Sequence, residues 1–233
     1  MFTPLQNSQR GAADHGWLQS NHSFSFANYY NPNEMGFGPL RVINEDRVQP
    51  SRGFGQHGHE NMEIISYVIS GALEHKDSLG TGSVIRYGDV QRMSAGSGVT
   101  HSEFNHSSQE IVHFLQIWIK PNALNIEPSY EEKHFDPVSK TNQLRLIASA
   151  DARQGSLLIH QDADIYASIL SANVEVNYVI SADRSAYLHV IRGKLNVNGE
   201  NLGSGDALKI NNEPELHIQA EEQSEFLLFD LPN

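Results

Sequence analysis

The sequence predicts an all-β protein built from two tandem β-barrels. Three observations support this fold class. Helical periodicity is scarce, and the chain consists of short β-prone runs separated by Gly, Asn, Asp and Pro. The two halves also repeat a similar order of strands and turns, which favours an internal duplication. A length of 233 residues suits two domains of about 100–120 residues each.

The strands of the first half end at turn-forming residues. Gly71, the Asp77–Gly80 segment and Gly88-Asp89 interrupt otherwise apolar runs. Residues 111–119 are apolar on both faces, so we expect a central, fully buried strand there. The other strands predicted in this half are 40–43, 62–70, 73–75 and 84–87.

A change in composition separates the halves. Residues 120–140 contain Pro121, Pro128 and Pro137 among many polar residues and are predicted to be a linker. We therefore divide the chain into an N-terminal domain, residues 1–135, and a C-terminal domain, residues 136–233. Strands are predicted in the latter at 187–191, 195–197, 207–210 and 226–229, with a hairpin turn at Asn198-Gly199.

Composition excludes several functions. The 16 Lys and Arg residues are outnumbered by 28 Asp and Glu, for a net charge of -12, so nucleic acid and anionic membrane surfaces should be repelled. The absence of cysteine excludes disulfides, thiolate zinc sites, iron–sulfur clusters and a cysteine nucleophile. No apolar run resembles a signal peptide or reaches the ~18 residues of a membrane span. We expect a cytoplasmic monomer.

Two matched steps of two residues carry the functional signal. They are His57-Gly58-His59 and His101-Ser102-Glu103. Residues i and i+2 of a strand project from the same face. Two such strands facing each other would offer three imidazoles and one carboxylate to a single divalent metal, with coordination positions left open.

These residues also carry a family resemblance. Gly53-x3-His57-x-His59-x3-Glu63-x7-Gly71 resembles the first motif of cupins, and Gly98-x2-His101-x3-Asn105 resembles the end of the second. The chain more narrowly resembles the pirins, which are two-cupin (bicupin) proteins, and among them the bacterial pirins with quercetin 2,3-dioxygenase activity. This resemblance includes residues 15–17, 22–30, 35–37, 40–44, 93–96 and 116–119.

The resemblance leaves a choice between two carboxylates. Glu63 is the position of the fourth ligand in many cupins, whereas pirins use the position of Glu103. Glu63 lies four residues beyond His59, which is about 13 Å along a regular strand, although a bulge would shorten this path. We therefore expect Glu103 to be a ligand, and Glu63 to hydrogen-bond to a ligand imidazole and fix its tautomer.

Other polar and aromatic residues have alternative interpretations. Gln116 interrupts an apolar strand, so it either faces the metal pocket or bonds to neighbouring backbone. His113 is expected to be structural, and His75 and His106 to be exposed. The aromatic residues either pack in the core, which we favour, or line a pocket; they are Phe24, Phe26, Tyr29 and Tyr30. No paired spacing marks His160, His189 or His217, and the resemblance implies no metal in the second barrel.

The resemblance implies a chemistry. A divalent metal, most simply Fe(II), would be held by His57, His59, His101 and Glu103; these donors also suit Ni, Co, Mn, Cu or Zn. Quercetin or a similar chelating aromatic would bind, Glu103 would accept its hydroxyl proton as a catalytic base, and O2 would open the ring with release of carbon monoxide. The alternative is a redox-sensing regulator that binds a protein partner such as a transcription factor or metabolic enzyme. A metal-dependent isomerase or hydrolase is a third interpretation.

Overall fold

The computed structural model describes residues 1–233 and confirms the all-β class. The chain forms two compact units. The N-terminal barrel contains Gly11–His134 and Leu157–Gln161, and the C-terminal barrel contains Met1–Arg10, Phe135–Ser156 and Asp162–Asn233. No helix of the structure is long and apolar enough to span a membrane.

Strands account for nearly all of the regular structure. The first twelve are β1 (Phe2–Leu5), β2 (Gly11–Asp14), β3 (Leu18–His22), β4 (Leu40–Val48), β5 (Gly53–His59), β6 (Glu63–Ser70), β7 (Ala72–Asp77), β8 (Gly82–Arg86), β9 (Asp89–Ser94), β10 (Val99–Asn105), β11 (Val112–Ile119) and β12 (Ser129–His134). The others are β13 (Arg145–Ser149), β14 (Leu157–Leu158), β15 (Asp164–Leu170), β16 (Glu175–Val179), β17 (Arg184–Arg192), β18 (Lys194–Val197), β19 (Glu200–Gly203), β20 (Ala207–Ile210), β21 (Glu215–Ala220) and β22 (Ser224–Pro232). One short helix, α1 (Pro137–Lys140), and two 3₁₀ turns, Asn7–Gln9 and Arg153–Gly155, complete the chain.

Two antiparallel sheets build the N-terminal barrel. The larger sheet has the order β12-β9-β6-β11-β4-β3-β2, and the smaller has the order β5-β10-β7-β8. Apolar side chains from both sheets meet in one core cluster that contains Leu18, Val48, Val68, Leu73, Ile85, Val112 and Phe114. As predicted, β11 is a central strand, lying between β6 and β4.

The C-terminal barrel has the same strand order. Its larger sheet is seven-stranded, in the order β1-β20-β17-β22-β15-β13-β14, and its smaller sheet runs β16-β21-β18-β19. β1 therefore takes the edge position that β12 takes in the first barrel, pairing with β20 from Phe2↔Ile210 to Leu5↔Ala207. This pairing is the reason that the first ten residues belong to the C-terminal unit, whereas the sequence division had placed them in the N-terminal domain.

The region predicted as a linker contains regular structure. Residues 129–134 form β12, which pairs with β9 from Ser129↔Ser94 to His134↔Asp89. An edge strand has one paired side and one open side, so it tolerates the polar composition that suggested a linker. Of the three prolines, Pro128 immediately precedes β12 and Pro137 begins α1, at positions where a missing N–H costs nothing.

A glycine permits β5 and β10 to lie close together. A Cβ on Gly53 would be 2.2 Å from the Glu103 carbonyl oxygen and 2.5 Å from the Phe104 Cα. Phe104 is the register partner of Gly53, so a side chain at this position would push the two strands apart. Gly55, two residues further along β5, is exposed and has no such neighbour within 4 Å.

Replacing these two glycines tests the close approach. Gly53→Ala should lower the free energy of unfolding by about 1–3 kcal/mol through overpacking. Gly55→Ala is the matched control and should change it by less than about 0.5 kcal/mol. Urea unfolding followed by circular dichroism measures both. Equal losses would show that strand spacing does not depend on Gly53.

Candidate metal centre

The centre is built on the pairing of β5 with β10. His57 lies opposite His101, and His59 lies opposite Val99. The register shifts between His101 and Glu103, so that Glu103 lies opposite Phe54. Both predicted two-residue steps are thus on adjacent strands, with their side chains on the same inner face.

Three imidazoles converge at this face. The Nε2 atoms of His57 and His101 are 3.1 Å apart. The ring centroids are separated by 4.8 Å for His57 and His59, 4.5 Å for His57 and His101, and 4.9 Å for His59 and His101. One nitrogen from each ring falls within 4.8 Å of the others, which is the spacing of ligands around one ion.

The three rings are prepared to donate lone pairs. Burial, with the adjacent His57, lowers the pKa of His59 to about 4. Burial and the neighbouring imidazoles lower the pKa of His101 to about 2. The Nδ1 atom of His57 is 2.8 Å from the Gly55 carbonyl oxygen, so it carries the proton and leaves Nε2 as the donor. Neutral imidazole is the form that binds metals.

Glu103 is buried beside the histidines, with 1% of its surface exposed. Burial raises the pKa of its carboxyl group, while hydrogen bonds from Gln116 and Ser66 act in the opposite direction. The Gln116 Nε2 atom donates to Glu103 at 2.6 Å, and the Ser66 hydroxyl lies 3.2 Å from the other carboxylate oxygen. Gln116 thus faces the metal centre, which is the first of the two alternatives given for it from the sequence.

The four expected ligands occur in two overlapping groups. His57, His59 and His101 form one, and His101, Glu103 and His75 form the other. His101 is the residue that both groups share. The structure therefore places Glu103 directly beside one member of the histidine triplet, and adds a residue that the sequence analysis had left out.

That residue is His75, and its predicted exposure is wrong. It is fully buried, because β7 turns it into the barrel next to β10, where it lies opposite Glu103. Its Nδ1 atom is 3.4 Å from the Nδ1 atom of His101, and its Nε2 atom is 3.0 Å from the Asp77 carboxylate. The spacing His75-Lys76-Asp77 is the same two-residue step that identified the other ligands, and would have found this pair.

Glu63 has different partners from those expected. Its carboxylate accepts hydrogen bonds from the Ser94 hydroxyl at 2.9 Å and the His160 backbone N–H at 3.2 Å, and the His160 ring is 3.4 Å away. The expected bond to a ligand imidazole is absent. Glu63 and Ser66 are three residues apart on β6, an odd offset that places them on opposite faces. Since Ser66 faces Glu103, Glu63 faces away.

The remaining side chains have separate positions. His106 is exposed, as expected, and lies beside Glu74, while His113 pairs with Glu45. Of the aromatic cluster, Phe24 is buried and Tyr30 is exposed. Phe26 and Tyr29 instead line a cavity, contrary to the core packing that we favoured.

The cavity has a volume of about 500 Å³ and lies in the N-terminal barrel. Aromatic walls surround a polar patch formed by Ser20, His22, Asn44 and Asp46; these walls comprise Trp17, Phe26, Tyr29 and Phe54. A row of register partners crosses the larger sheet from this patch to the metal centre: His22, Asn44, Gln116 and Ser66. Cross-strand partners project to one side of a sheet, so cavity and centre share the inner face.

The C-terminal barrel has an apolar interior at the corresponding strands. β18 and β21 occupy the places that β7 and β10 occupy in the first barrel. They contribute buried aliphatic side chains to its core, namely Leu195, Val197, Leu216 and Ile218. The two groups of potential metal ligands both lie in the N-terminal barrel.

Two barrels with one histidine-rich centre define a metal-binding bicupin, and comparisons with known proteins identify the family. The Pirin family model matches residues 5–119, and the model of the quercetinase C-terminal cupin domain matches residues 146–231. The chain belongs to the pirin family, as its resemblance predicted.

Relatives cover nearly the whole chain. Quercetin 2,3-dioxygenase of Escherichia coli (strain K12) is 46% identical over 225 residues, covering 97% of this chain and 96% of that protein. A pirin-like protein of Caulobacter vibrioides is 41% identical over 221 residues, covering 94% and 95%. The chain is thus similar both to a named quercetin 2,3-dioxygenase and to a protein named only for its family.

Two solved structures share the fold of this chain, and one of them contains a metal. The crystal structure of YhhW from E. coli has a TM-score of 0.96 and 45% identity, covering 100% of this chain and 98% of that one. The same bacterial pirin in complex with nickel(II) has a TM-score of 0.96 and 44% identity, covering 100% and 99%. Neutral imidazoles and a buried carboxylate suit a divalent transition metal, so the donor set fits such an ion.

Two substitutions test the ligand assignment, one at a residue that faces the metal centre and one at a residue that faces away from it. His101→Ala should abolish retention of a divalent metal, because His101 belongs to both ligand groups. Glu63→Gln should leave most of the metal bound, since that carboxylate faces away from the centre. Elemental analysis of the purified variants measures the metal content. A similar loss in both would contradict the assignment of Glu63.

Proposed function

We propose that this protein is a quercetin 2,3-dioxygenase-like oxidoreductase that cleaves a flavonol, or a similar chelating aromatic, with O2. The observation that carries the proposal is the convergence of three imidazoles beside a buried carboxylate, on the same inner face as an aromatic-walled cavity. The names of its relatives support this choice of reaction.

His57, His59, His101 and Glu103 would hold the metal, for which we propose Fe(II). When bound, a divalent transition metal supplies a charge that lowers the pKa of a substrate hydroxyl and a redox centre for reaction with O2. The tautomer fixed at His57 by the Gly55 carbonyl leaves Nε2 directed at the centre. The half-buried positions of His57 and His59 leave this side open to a ligand.

Glu103 is proposed to be the catalytic base. Burial raises the pKa of its carboxyl group in the metal-free protein, and a carboxylate that also binds the metal would accept a proton through an oxygen freed from the metal. Gln116 and Ser66 hold the two oxygens in place. The carboxylate would accept the hydroxyl proton of the flavonol; O2 then adds across the central ring, which opens and releases carbon monoxide.

The cavity is proposed to hold the part of the substrate that lies beyond the chelating atoms. His22 is two strands away from Gln116, or about 10 Å at the spacing of a β-sheet. A planar molecule bound to the metal at one end would place a second ring between the aromatic walls. Ser20, His22 and Asp46 offer hydrogen-bonding groups to ring hydroxyls there.

Release of carbon monoxide tests the reaction directly. Protein loaded anaerobically with Fe(II) and then given quercetin and O2 should release carbon monoxide in proportion to the flavonol consumed. His57→Ala should lose this turnover, because the substitution removes one of the metal ligands. Turnover that persists in His57→Ala would indicate adventitious metal or autoxidation. A metal-loaded protein that is inactive with every divalent metal would contradict the proposal and favour the regulatory alternative.

Filling the cavity tests where the substrate lies. Ala13 lines the cavity, so Ala13→Leu should raise the KM for quercetin roughly tenfold by occupying space needed by the ring. Metal content should not change. Ala123→Leu, at an exposed position of the same barrel, is the matched control and should leave KM unaltered. An unchanged KM in Ala13→Leu would place the substrate elsewhere.

A further inference from the structure

A buried chain of polar groups continues from His101 away from the proposed metal position. The His101 Nδ1 atom is 3.4 Å from the His75 Nδ1 atom, and the His75 Nε2 atom is 3.0 Å from the Asp77 carboxylate. The side chains of His75 and Asp77 are both 0% exposed. Solvent therefore does not compete for these contacts.

The partners determine where the protons lie. A carboxylate only accepts, so His75 donates to Asp77 from Nε2 and keeps a lone pair on Nδ1. The Gln91 amide nitrogen, 3.4 Å from that Nδ1, is consistent with an acceptor there. The His101 Nδ1 atom, at the same distance from this lone pair, is assigned the other proton, because two lone pairs would otherwise face each other. This tautomer leaves the lone pair on Nε2, the atom that lies 3.1 Å from the Nε2 of His57.

We propose that Asp77 and His75 are positioning residues that hold His101 in its Nδ1–H tautomer and strengthen its Nε2 atom as a metal donor. The inference rests on the proposed metal centre but not on the dioxygenase reaction. His57 and His101 would be supported differently: the first by a neutral backbone carbonyl, the second through an imidazole by a carboxylate. Hydrogen-bond partners of this kind orient a metal-binding imidazole and raise the basicity of its donor nitrogen.

The geometry separates this role from a structural one. Asp77 also closes the turn after β7, but it does so with Oδ1, which accepts from the N–H groups of Leu79 and Thr81 at 2.9 and 3.0 Å. The other oxygen, Oδ2, is the one that meets His75. Tyr130 stacks on the His75 ring with centroids 4.9 Å apart, which restrains the imidazole plane. Turn closure and support of His75 thus use different oxygens.

Three variants test the proposal. Asp77→Asn keeps the side-chain shape and can still accept from the turn through Oδ1, but it places an NH2 donor against the His75 Nε2 atom and so favours the opposite His75 tautomer. His75→Phe keeps a ring against Tyr130 and removes both nitrogens. Lys76→Gln is the matched control, because this exposed side chain lies between His75 and Asp77 on β7 and projects from the opposite face. The dissociation constant for nickel(II) is measured for each full-length protein by competition with a chelator.

Asp77→Asn and His75→Phe should each weaken nickel binding by about 10–100-fold, and Lys76→Gln should leave it unchanged. The double variant should be no weaker than His75→Phe alone, because Asp77 acts through His75. Unchanged affinity in either single variant, or additive losses in the double variant, would overturn the proposal. Urea unfolding of the metal-free proteins checks that all variants fold.

The tautomers provide a second readout that a structural role would not alter. In zinc-loaded protein with isotope-labelled histidine, NMR should find the proton on Nδ1 of His101 and on Nε2 of His75. A proton on Nδ1 of His75 would overturn the proposal. Wild-type protein that binds nickel but releases no carbon monoxide would refute only the dioxygenase function. Wild-type protein that retains no nickel would refute the metal centre and this inference together.

Discussion

The antiparallel pairing of β5 with β10 is the constraint on which the site depends. It places His57 opposite His101 and, through a register shift, brings Glu103 opposite Phe54. The close approach requires Gly53, whose missing side chain lets the two backbones meet. Three imidazoles turned toward one point present their nitrogen atoms at the spacing of ligands around a single cation.

The two barrels show how one strand order serves two purposes. In the C-terminal barrel, β18 and β21 fill the interior with aliphatic side chains, and the result is an ordinary packed core. In the N-terminal barrel, the corresponding strands carry His75, His101 and Glu103, and polar groups continue across the larger sheet to Asn44 and His22. These buried polar groups satisfy one another, which is the condition for burying them at all.

The sequence predicted what depends on local pattern and missed what depends on pairing. Strand alternation and turn residues were enough for the fold class and for the central strand β11, although Ile111 lies outside it and is exposed. Same-face spacing was enough to bring His57, His59 and His101 together. The roles of β1 and β12 as equivalent edge strands, and the burial of His75, depend on partners distant in the chain. The hydrogen-bond partner of Glu63 was predicted wrongly, because the prediction considered only its distance from His59 along the chain. The face of β6 on which Glu63 lies decides what it can contact.

The central claim is that three histidines and Glu103 together hold one divalent metal. The most direct test is a crystal structure of the metal-loaded protein, with the ion located by its anomalous scattering. The account predicts a single ion in the N-terminal barrel, bound by the Nε2 atoms of His57, His59 and His101 and by an oxygen of Glu103. An ion bound to His75 in place of Glu103, or coordinated by Glu63, would contradict it.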